Sequence, residues 1–472
     1  MKRNIILTLM LLSVVVVSAQ NQSAAWKKLY PAIQKNIKDP KFRKAYYNIR
    51  DFGAVPNDTS VLNTEAINRA IATCSLNGGG KVVVPAGTWF TAPLTLKSNV
   101  NLHLEEGSTV LFTTDPKYFP VVLTRWEGID CYNLQPLVYA YGETNIAITG
   151  KGTLDGGAAN ENWWKKCGAE RFGWKEGDIS QRTGRPKLMQ WNNEKLPVSR
   201  RILTETDGLR PQMINFYRCN NVLIEGVRIL RSPFWVIHPL MCNNLTVRGV
   251  YVENDGPNGD GCDPESCSNV LIENCYFNTG DDCIAIKSGR NNDGRLWAKP
   301  SENIIVRNCE MKNGHGGVVI GSEISGGYKN LFVENCKMDS PLLDRVIRIK
   351  TNTLRGGIIE NIFVRNVEVG ECKEAVLHIN LLYEPREIGE RGFIPVIRNV
   401  NLDKVNSQKS QYGVYIDGLP DQATVFDIHV SNSNFNGVKS GNKFTGLIEN
   451  VTFNNLKING ELQQNNPLIN LK

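Results

Sequence analysis

The sequence predicts an all-β protein built as a single-stranded parallel β-helix with a helical cap near its N-terminal end. Two observations predict this fold. A phrase of two short apolar runs, joined at a Gly or an Asn, recurs every 23 to 34 residues through the middle of the chain. Ahead of these repeats, residues 64–73 have the apolar spacing of a helix and lie between two segments typical of strands.

The repeated phrase begins with an asparagine and has Ile or Val at its fourth position. Repeats of this length typically form coils, in which each strand pairs with the equivalent strand of the next coil. A β-sandwich with irregular strands is the alternative, but it would not keep the phrase in register. Clear copies begin at Asn221, Asn244, Asn269, Asn303, Asn330 and Asn361, and weaker ones begin at Asn145, Asn399 and Asn450.

The N-terminal part of the repeat region, about residues 45–95, reads as strand, helix and strand. A helix at this place can cover the open end of the first coil and its unpaired strand edge. We expect the catalytic coils at about residues 215–385. Residues 160–211 interrupt the repeat and are rich in Trp, Lys, Arg and Glu, so they either wall a binding groove or form a structural flap.

The first residues are predicted to be a secretory signal peptide, residues 1–19. Lys2 and Arg3 precede an apolar run over residues 5–17, and small residues follow at the expected cleavage site. Residues 20–472 then form the β-helix domain, although a chain of this length would equally allow two or three domains. We expect an exported protein, periplasmic or extracellular, without a membrane span.

The chain has 472 residues, a formal net charge of +7 and twelve cysteines. A basic excess suits an acidic polysaccharide, although ordinary solvated Lys and Arg would produce the same charge. Nucleic acid is not expected, because no basic run is interleaved with aromatic residues. Cys275, Cys309 and Cys336 occupy the same point of the phrase, so we expect stacked, buried thiols with at most one or two disulfides. No Cys or His spacing indicates a metal site.

Four short segments carry chemically active side chains at intervals of about one to one and a half repeats. In a coiled fold this spacing would bring three carboxylates, an imidazole and two cations to one face. Closely spaced carboxylates resist joint ionisation, so one keeps its proton, as an inverting glycosidase requires. The residues concerned are Asp260, Asp281, Asp282, His315, Arg348 and Lys350.

Two local features bear on this prediction. Asp281 and Asp282 are adjacent, so both can reach one site only if the backbone bends there, and Gly280 would permit such a bend. Arg348 and Lys350 lie two residues apart on a predicted strand, so their side chains leave the same face. A guanidinium and an ammonium group together suit the carboxylate of an acidic sugar.

This combination closely resembles the polygalacturonase family, glycoside hydrolase family 28, over nearly the whole mature chain. The resemblance implies a right-handed, pectin-lyase-like solenoid, with Asp281 as the acid and Asp260 and Asp282 holding the water. It further implies that His315 steers the protonation of the acid. Contacts with substrate are implied for Asn258 and Tyr383, while His238 suits either the site or the core equally well. The family's usual Asn-Thr-Asp reads Asn-Gly-Asp here, which leaves the exact pectic substrate open.

The predicted function is therefore an inverting glycoside hydrolase that cleaves α-1,4-linked galacturonic acid in homogalacturonan or another pectin, without a cofactor and as a monomer. Exo attack is slightly favoured, because excursions around residues 117–140, 160–211 and 290–300 could close one end of a groove. A rhamnogalacturonan or xylogalacturonan hydrolase is the alternative within the family. A calcium-dependent pectate lyase and a non-catalytic pectin-binding β-helix are the alternatives outside it.

Overall fold

Each copy of the repeated phrase forms two short strands joined at a corner. The computed structural model describes residues 22–464, so the predicted signal peptide lies outside it. The copy at Asn221 gives the strands Asn220–Glu225 and Arg228–Leu230. Equivalent positions pair in parallel from coil to coil, with Val222 opposite Leu245. The protein is thus a parallel β-helix, as predicted, and its coils turn in the right-handed sense of parallel crossover connections.

Two long sheets run along the β-helix, and a separate hairpin pairs Val121–Trp126 with Ile129–Leu134. In the larger sheet are Tyr46–Asn48, Gly80–Val84, Gly87–Thr91, Val100–Leu104, Ser108–Phe112, Thr144–Gly150, Thr153–Asp155, Asn220–Glu225, Arg228–Leu230, Asn243–Arg248, Tyr251–Asn254, Ser268–Glu273, Tyr276–Thr279, Ser301–Arg307, Glu310–Met311, Tyr328–Glu334, Lys337–Met338, Ile358–Glu371, Val396–Lys409, Val425–Phe435, Ile448–Ile458 and Glu461–Leu462.

The second sheet is divided into two blocks. Between the blocks, the pairing continues only through isolated bridges at Cys262 and Glu265. The first block is Leu94–Thr95, Val138–Tyr141, Ile214–Tyr217 and Ile237–Leu240, and the second is Ile284–Ile286, Val318–Gly321, Arg345–Lys350, Ala375–Asn380, Tyr412–Asp417 and Lys443–Thr445.

The structure explains why an asparagine opens each phrase. Its backbone takes the left-handed conformation, which Asn tolerates better than most residues, and its amide both donates and accepts hydrogen bonds. Asn330 Nδ2 donates to Asn303 Oδ1 at 2.8 Å, and Asn361 Nδ2 donates to Asn330 Oδ1 at 3.0 Å. The asparagines with positive φ include all nine phrase positions, 145, 221, 244, 269, 303, 330, 361, 399 and 450.

Four α-helices flank the coils within residues 22–464. Helix α1, Tyr30–Asn36, follows a π-helical turn, Ala25–Leu29, and packs on the outside of the larger sheet. Helix α2, Thr64–Leu76, buries Ile67 and Ile71 in the main core and forms the predicted cap. Helices α3, Gln181–Asn193, and α4, Asn291–Trp297, belong to the excursions. Short 3-10 helices span Ile49–Phe52, Pro116–Tyr118, Trp164–Cys167, Glu170–Phe172, Val198–Arg200 and Glu205–Asp207. No helix within residues 22–464 is long and apolar enough to cross a bilayer.

All twelve cysteines lie within the described residues, and none forms a disulfide. Eleven are buried, and Cys167 is partly exposed. The Cys275 and Cys309 thiols sit at equivalent points of successive coils, and each contacts backbone carbonyl oxygens. The prediction of stacked, buried thiols is confirmed, and the disulfides that the sequence left open are absent.

Candidate active site

Three turns on successive levels of the β-helix hold the predicted catalytic residues. Each turn lies just ahead of the second sheet, and the turns carry Asp260, the adjacent Asp281 and Asp282, and His315. Main-chain hydrogen bonds join the turns. Gly261 N–H donates to the Asp282 carbonyl at 3.0 Å, and His315 N–H donates to the Asp281 carbonyl at 3.1 Å. The segments that recur at regular intervals in the sequence are thus stacked on one another in the structure.

The bend expected at Asp281 and Asp282 is a turn between the strands Tyr276–Thr279 and Ile284–Ile286. Neither aspartate lies in a strand, so the two side chains need not face opposite ways. Gly280 is required here for close approach, because a Cβ on it would lie 2.6 Å from the carbonyl oxygen of Gly256. A side chain at this position would push the turn away from the coil below.

The three carboxylates meet as predicted. One oxygen of each of Asp260, Asp281 and Asp282 lies within 4.8 Å of the others. Their exposure differs: the side chains of Asp260 and Asp282 are 4% and 1% exposed, whereas that of Asp281 is 17% exposed. Asp281 is therefore the member of the cluster that a substrate in the cleft reaches most easily.

Lys287 is a site residue that sequence reasoning missed. It is buried, and its Nζ lies 3.5 Å from Asp260, 3.4 Å from Asp263 and 3.3 Å from Glu323. Its ammonium also stands 4.4 Å from the centre of the Trp235 ring. The available signal was a lysine directly after the buried strand that follows the two aspartates. Lys287 neutralises part of the charge that the carboxylates bring together.

The predicted cations lie on the strand Arg345–Lys350, and both approach Asp282. Lys350 Nζ donates to Asp282 Oδ2 at 2.7 Å, while Arg348 Nη1 is 3.6 Å from Asp282 Oδ1. The Tyr383 ring stands 5.3 Å from the Lys350 ammonium. Lys350 and Tyr383 line the cleft, whereas Arg348 is not among its lining residues and supports Asp282 from the side.

His315 pairs with Asp281. Its Nδ1 lies 2.9 Å from Asp281 Oδ1, and its ring is half-exposed at the mouth of the site. The hydrogen bond and charge of Asp281 raise the pKa of His315 above its usual value. Burial raises the pKa of Asp281, but His315, Lys350 and Lys287 outweigh burial and hold that pKa well below its usual range. The proton of this pair therefore rests on His315 in the free enzyme.

Of the three clustered carboxyls, Asp260 is the one that keeps a proton, and burial also raises the pKa of its neighbour Asp263. Burial, followed by the charge of Asp281, raises the pKa of Asp260 to about 7. The sequence predicted that one member of the cluster would stay protonated, and the resemblance assigned the acid role to Asp281. The free enzyme instead has the raised pKa on Asp260, because Asp260 is buried deeper and lacks a histidine partner.

Asn258 and His238 lie in different surroundings. Asn258 lines the cleft, and its Oδ1 accepts a hydrogen bond from Arg210 at 2.7 Å. His238 is fully buried between Asn215 and Glu265, with Nε2 2.8 Å from Glu265 Oε2. The structure does not bring His238 to the cleft, because Trp235 lines it at that point. His238 is a core histidine, which was one of the two roles that the sequence allowed.

The cleft has a volume of about 350 Å³, and residues of the excursions form part of its wall. Arg290, which is fully buried just ahead of α4, holds this wall together. It contacts Glu127 of the hairpin at 2.8 Å and Glu384 at 3.1 Å, while Arg185 of α3 contacts Glu127 at 2.8 Å. Glu127, Arg185 and Glu384 all line the cleft.

The carboxylate trio has the spacing of a metal site, but its surroundings do not suit a divalent cation. Lys350 and Lys287 already lie against Asp282 and Asp260, and their positive charges repel a second cation. The donor set therefore fits hydrolysis by water better than metal-assisted chemistry.

The fold and the site together define a polysaccharide-cleaving glycoside hydrolase. A family model described as glycosyl hydrolases family 28 matches residues 203–437. A solved structure, the hyperthermoactive exopolygalacturonase of Thermotoga maritima, is 41% identical in sequence and has a TM-score of 0.88. The match covers 93% of this chain and 97% of that one. The chain therefore belongs to glycosyl hydrolase family 28.

Two curated relatives extend the comparison. The exo-poly-alpha-D-galacturonosidase of Dickeya chrysanthemi is 26% identical over 453 residues, which cover 87% of this chain and 71% of that protein. A probable polygalacturonase of Vitis vinifera is 27% identical over 389 residues, which cover 78% of this chain and 70% of that protein. Both names agree with the class of enzyme that the carboxylate cluster indicates.

Proposed function

We propose that this protein is an exo-acting polygalacturonase that hydrolyses α-1,4-linked galacturonic acid in pectin. The observation that carries the proposal is a carboxylate cluster beside Lys350, in a cleft whose wall includes residues of the excursions. We propose that these residues block one end of the cleft. A blocked cleft admits a chain end and not the middle of a chain. The names of the Thermotoga and Dickeya relatives support exo attack.

The substrate is acidic because the cleft offers a cation that is only partly neutralised. Lys350 holds Asp282 but also lines the open cleft beside Tyr383. A sugar carboxylate can form a hydrogen-bonded ion pair with this ammonium, which a neutral sugar cannot. Rhamnogalacturonan and xylogalacturonan also carry galacturonate, so they remain the alternative substrates within the same chemistry.

The different exposure of the three aspartate side chains suggests which catalytic role each one has. The general acid must touch the leaving oxygen of the substrate, and Asp281 is the most exposed carboxyl of the three. Asp260 and Asp282 lie deeper, where one water can bridge them. Two hydrogen bonds of about 2.8 Å to one water separate the accepting oxygens by roughly 4.6 Å, which matches the compact cluster. We therefore assign the acid to Asp281 and the attacking water to Asp260 and Asp282. Because Asp260 keeps a proton in the free enzyme, Asp282, which lies against Lys350, is the base that accepts the proton of the water.

Substrate binding can return the proton to Asp281. Lys350 is one of the charges that depress the pKa of Asp281 in the free enzyme. A galacturonate carboxylate beside Lys350 offsets that charge, so the pKa of Asp281 rises and the proton of His315 can pass along their 2.9 Å contact. His315 then serves as the proton source for the acid.

The stereochemistry needs its own test. Inverting glycosidases usually separate their two carboxyl groups by about 6.5–9.5 Å and retaining ones by about 5–5.5 Å. Carboxylate oxygens that lie within 4.8 Å of one another would therefore alone favour retention. The bridging-water arrangement instead favours inversion. Proton NMR of the first turnovers decides: inversion of an α-bond releases the β-anomer, and initial α-anomer would exclude this mechanism.

We also propose that the protein is exported, since its substrate is a cell-wall polymer and residues 1–19 have the pattern of a signal peptide. N-terminal sequencing of the protein recovered outside the cytoplasm should begin at about Gln20. Recovery of the intact chain from the cytoplasm alone would contradict export.

The function is tested by incubating the mature protein with polygalacturonate or rhamnogalacturonan in the presence of a chelator. We expect saturated galacturonic acid monomer from polygalacturonate at the earliest times. Mixed oligomers would contradict exo attack. Unsaturated products absorbing in the ultraviolet would indicate a lyase, and release from rhamnogalacturonan alone would move the proposal to that polymer.

A further inference from the structure

Arg210 differs from the other fully buried arginines. Arg125, Arg290 and Arg355 each lie against carboxylates. Arg210 is 0% exposed, and in the described part of the chain its guanidinium bonds only to neutral oxygens. Burial lowers the pKa of Arg210 to about 10, which still leaves it charged at neutral pH. A buried charge without a counter-ion is costly, so a compensating role is expected.

The partners of Arg210 connect three parts of the site. Its Nη1 donates to the carbonyl oxygens of Pro233 at 3.0 Å and Pro257 at 2.6 Å. Its Nη2 donates to Gln181 Oε1 at 2.9 Å and to Asn258 Oδ1 at 2.7 Å. Gln181 begins helix α3 of the wall, and Asn258 lies two residues before Asp260. Both amide side chains line the cleft.

An arginine can only donate hydrogen bonds, so the amide atoms that face it must be oxygens. The nitrogens of Gln181 and Asn258 are therefore turned away from Arg210, and they have no hydrogen-bond partner among residues 22–464. Because both oxygens accept from the same nitrogen, at 2.9 and 2.7 Å, they lie within about 5.6 Å of each other. Two adjacent N–H donors match the two oxygens of a carboxylate.

We propose that Arg210 is a positioning residue that turns the Gln181 and Asn258 amides so that both present N–H donors to a galacturonate carboxylate in the cleft. This inference rests on the proposed function, because it takes the substrate to be an acidic sugar. Arg210 does not touch the substrate, and its positive charge adds to the attraction of an anion into the cleft.

The sharpest test is Gln181→Glu. The new carboxylate keeps an oxygen on Arg210 and gives the guanidinium the counter-ion it lacks, so the melting temperature should stay the same or rise. The face towards the cleft changes from a donor to an anion, so KM for trigalacturonate should rise roughly tenfold or more. The kcat should stay within about threefold, because this contact is made equally in the ground and transition states.

Gln190→Glu is the matched control, since it makes the same change on the same helix at an exposed residue that does not line the cleft. Its KM should equal that of the wild type. A Gln181→Glu enzyme with KM within about twofold of wild type would overturn the proposal, as would a fall in kcat with KM unchanged. Arg210→Lys provides a second route: lysine cannot hold both amides in this geometry, so an unchanged KM there would also exclude the role. A wild type without turnover of trigalacturonate would instead contradict the proposed function itself.

Discussion

The coils and the wall of the cleft are held together in different ways. In the coils, each level forms the same hydrogen bonds as the level before it, so Asn330 bonds to Asn303 below and Asn361 above. In the wall, Arg290 gathers Glu127 and Glu384 from segments 163 and 94 residues away. The coils supply the reacting groups, whereas the wall decides which part of a polymer can reach them. Chemistry and mode of attack should therefore be separable by mutation.

The largest expected effect is on the coil side. Asp281→Asn should lower turnover of polygalacturonate by about 10²–10⁴-fold, because the leaving oxygen then receives no proton. The variant should still fold, because Asn keeps the shape of the side chain, although it loses the ion pair with His315 and some stability with it. An aryl α-galacturonide separates the roles: its phenolate leaves without protonation, so Asp281→Asn should recover activity on it while Asp282→Asn should not. Recovery by Asp282→Asn alone would reverse the assignment of acid and base.

The wall gives the next largest effect. Arg290→Met leaves the buried Glu127 and Glu323 and the partly exposed Glu384 without their shared cation, which should cost about 3–5 kcal/mol of unfolding free energy. Where the variant folds, the loosened wall should admit internal bonds, so short oligomers should accompany monomer among the first products. Thermal denaturation and timed chromatography of products measure the two effects.

Arg398→Met is the control for the wall. Arg398 pairs with Glu360 at 2.6 Å on the exposed side of a coil, so its loss should cost at most about 1 kcal/mol and leave the products unchanged. Monomer as the sole early product of a folded Arg290→Met enzyme would show that the wall does not set the mode of attack.

The same division explains what could be predicted from the sequence. The coils repeat, so their strands, the stacked thiols and the meeting of Asp260 with Asp281 follow from spacing alone. The wall depends on single contacts between distant segments, and no local pattern pairs Arg290 with Glu127. Helix α1 escaped prediction because its partners, such as Phe332, lie some 300 residues further along. Lys287 was missed because a lone lysine at the end of a strand is usually solvated.

Asp260 links activity to stability through pH. Folding raises the pKa of Asp260 to about 7, above the value of about 3.9 in an unfolded chain. The contribution of the protonated Asp260 to the free energy of unfolding is fully present below about pH 4 and is lost as the pH rises towards 7. Asp260→Asn removes this loss, so it should raise the free energy of unfolding at pH 7 by a few kcal/mol at most, with a higher melting temperature, and change both little at pH 4.

The measurement is a pair of melting curves for the wild type and Asp260→Asn at each pH. Glu225→Gln on the coil surface is a control that should show no such gain at pH 7, because Glu225 is well exposed beside Arg248. If Asp260→Asn changes the melting temperature by the same amount at both pH values, Asp260 is not the carboxyl with the raised pKa. The inactive variant should be the more stable one, since the site keeps like charges together for chemistry.

The smallest effect tests the repeat itself. Asn330 has a φ of 67° and bonds to the asparagines above and below it. Asn330→Gly keeps the backbone conformation and loses only the amide bonds, so it should cost about 1–2 kcal/mol. Asn330→Ala adds the left-handed backbone penalty, roughly 1–2 kcal/mol more. Denaturant unfolding separates the two terms. If both variants lose the same unfolding free energy, the hydrogen bonds between the asparagine amides alone explain why asparagine occurs here. If only Asn330→Ala loses stability, the left-handed backbone conformation explains it.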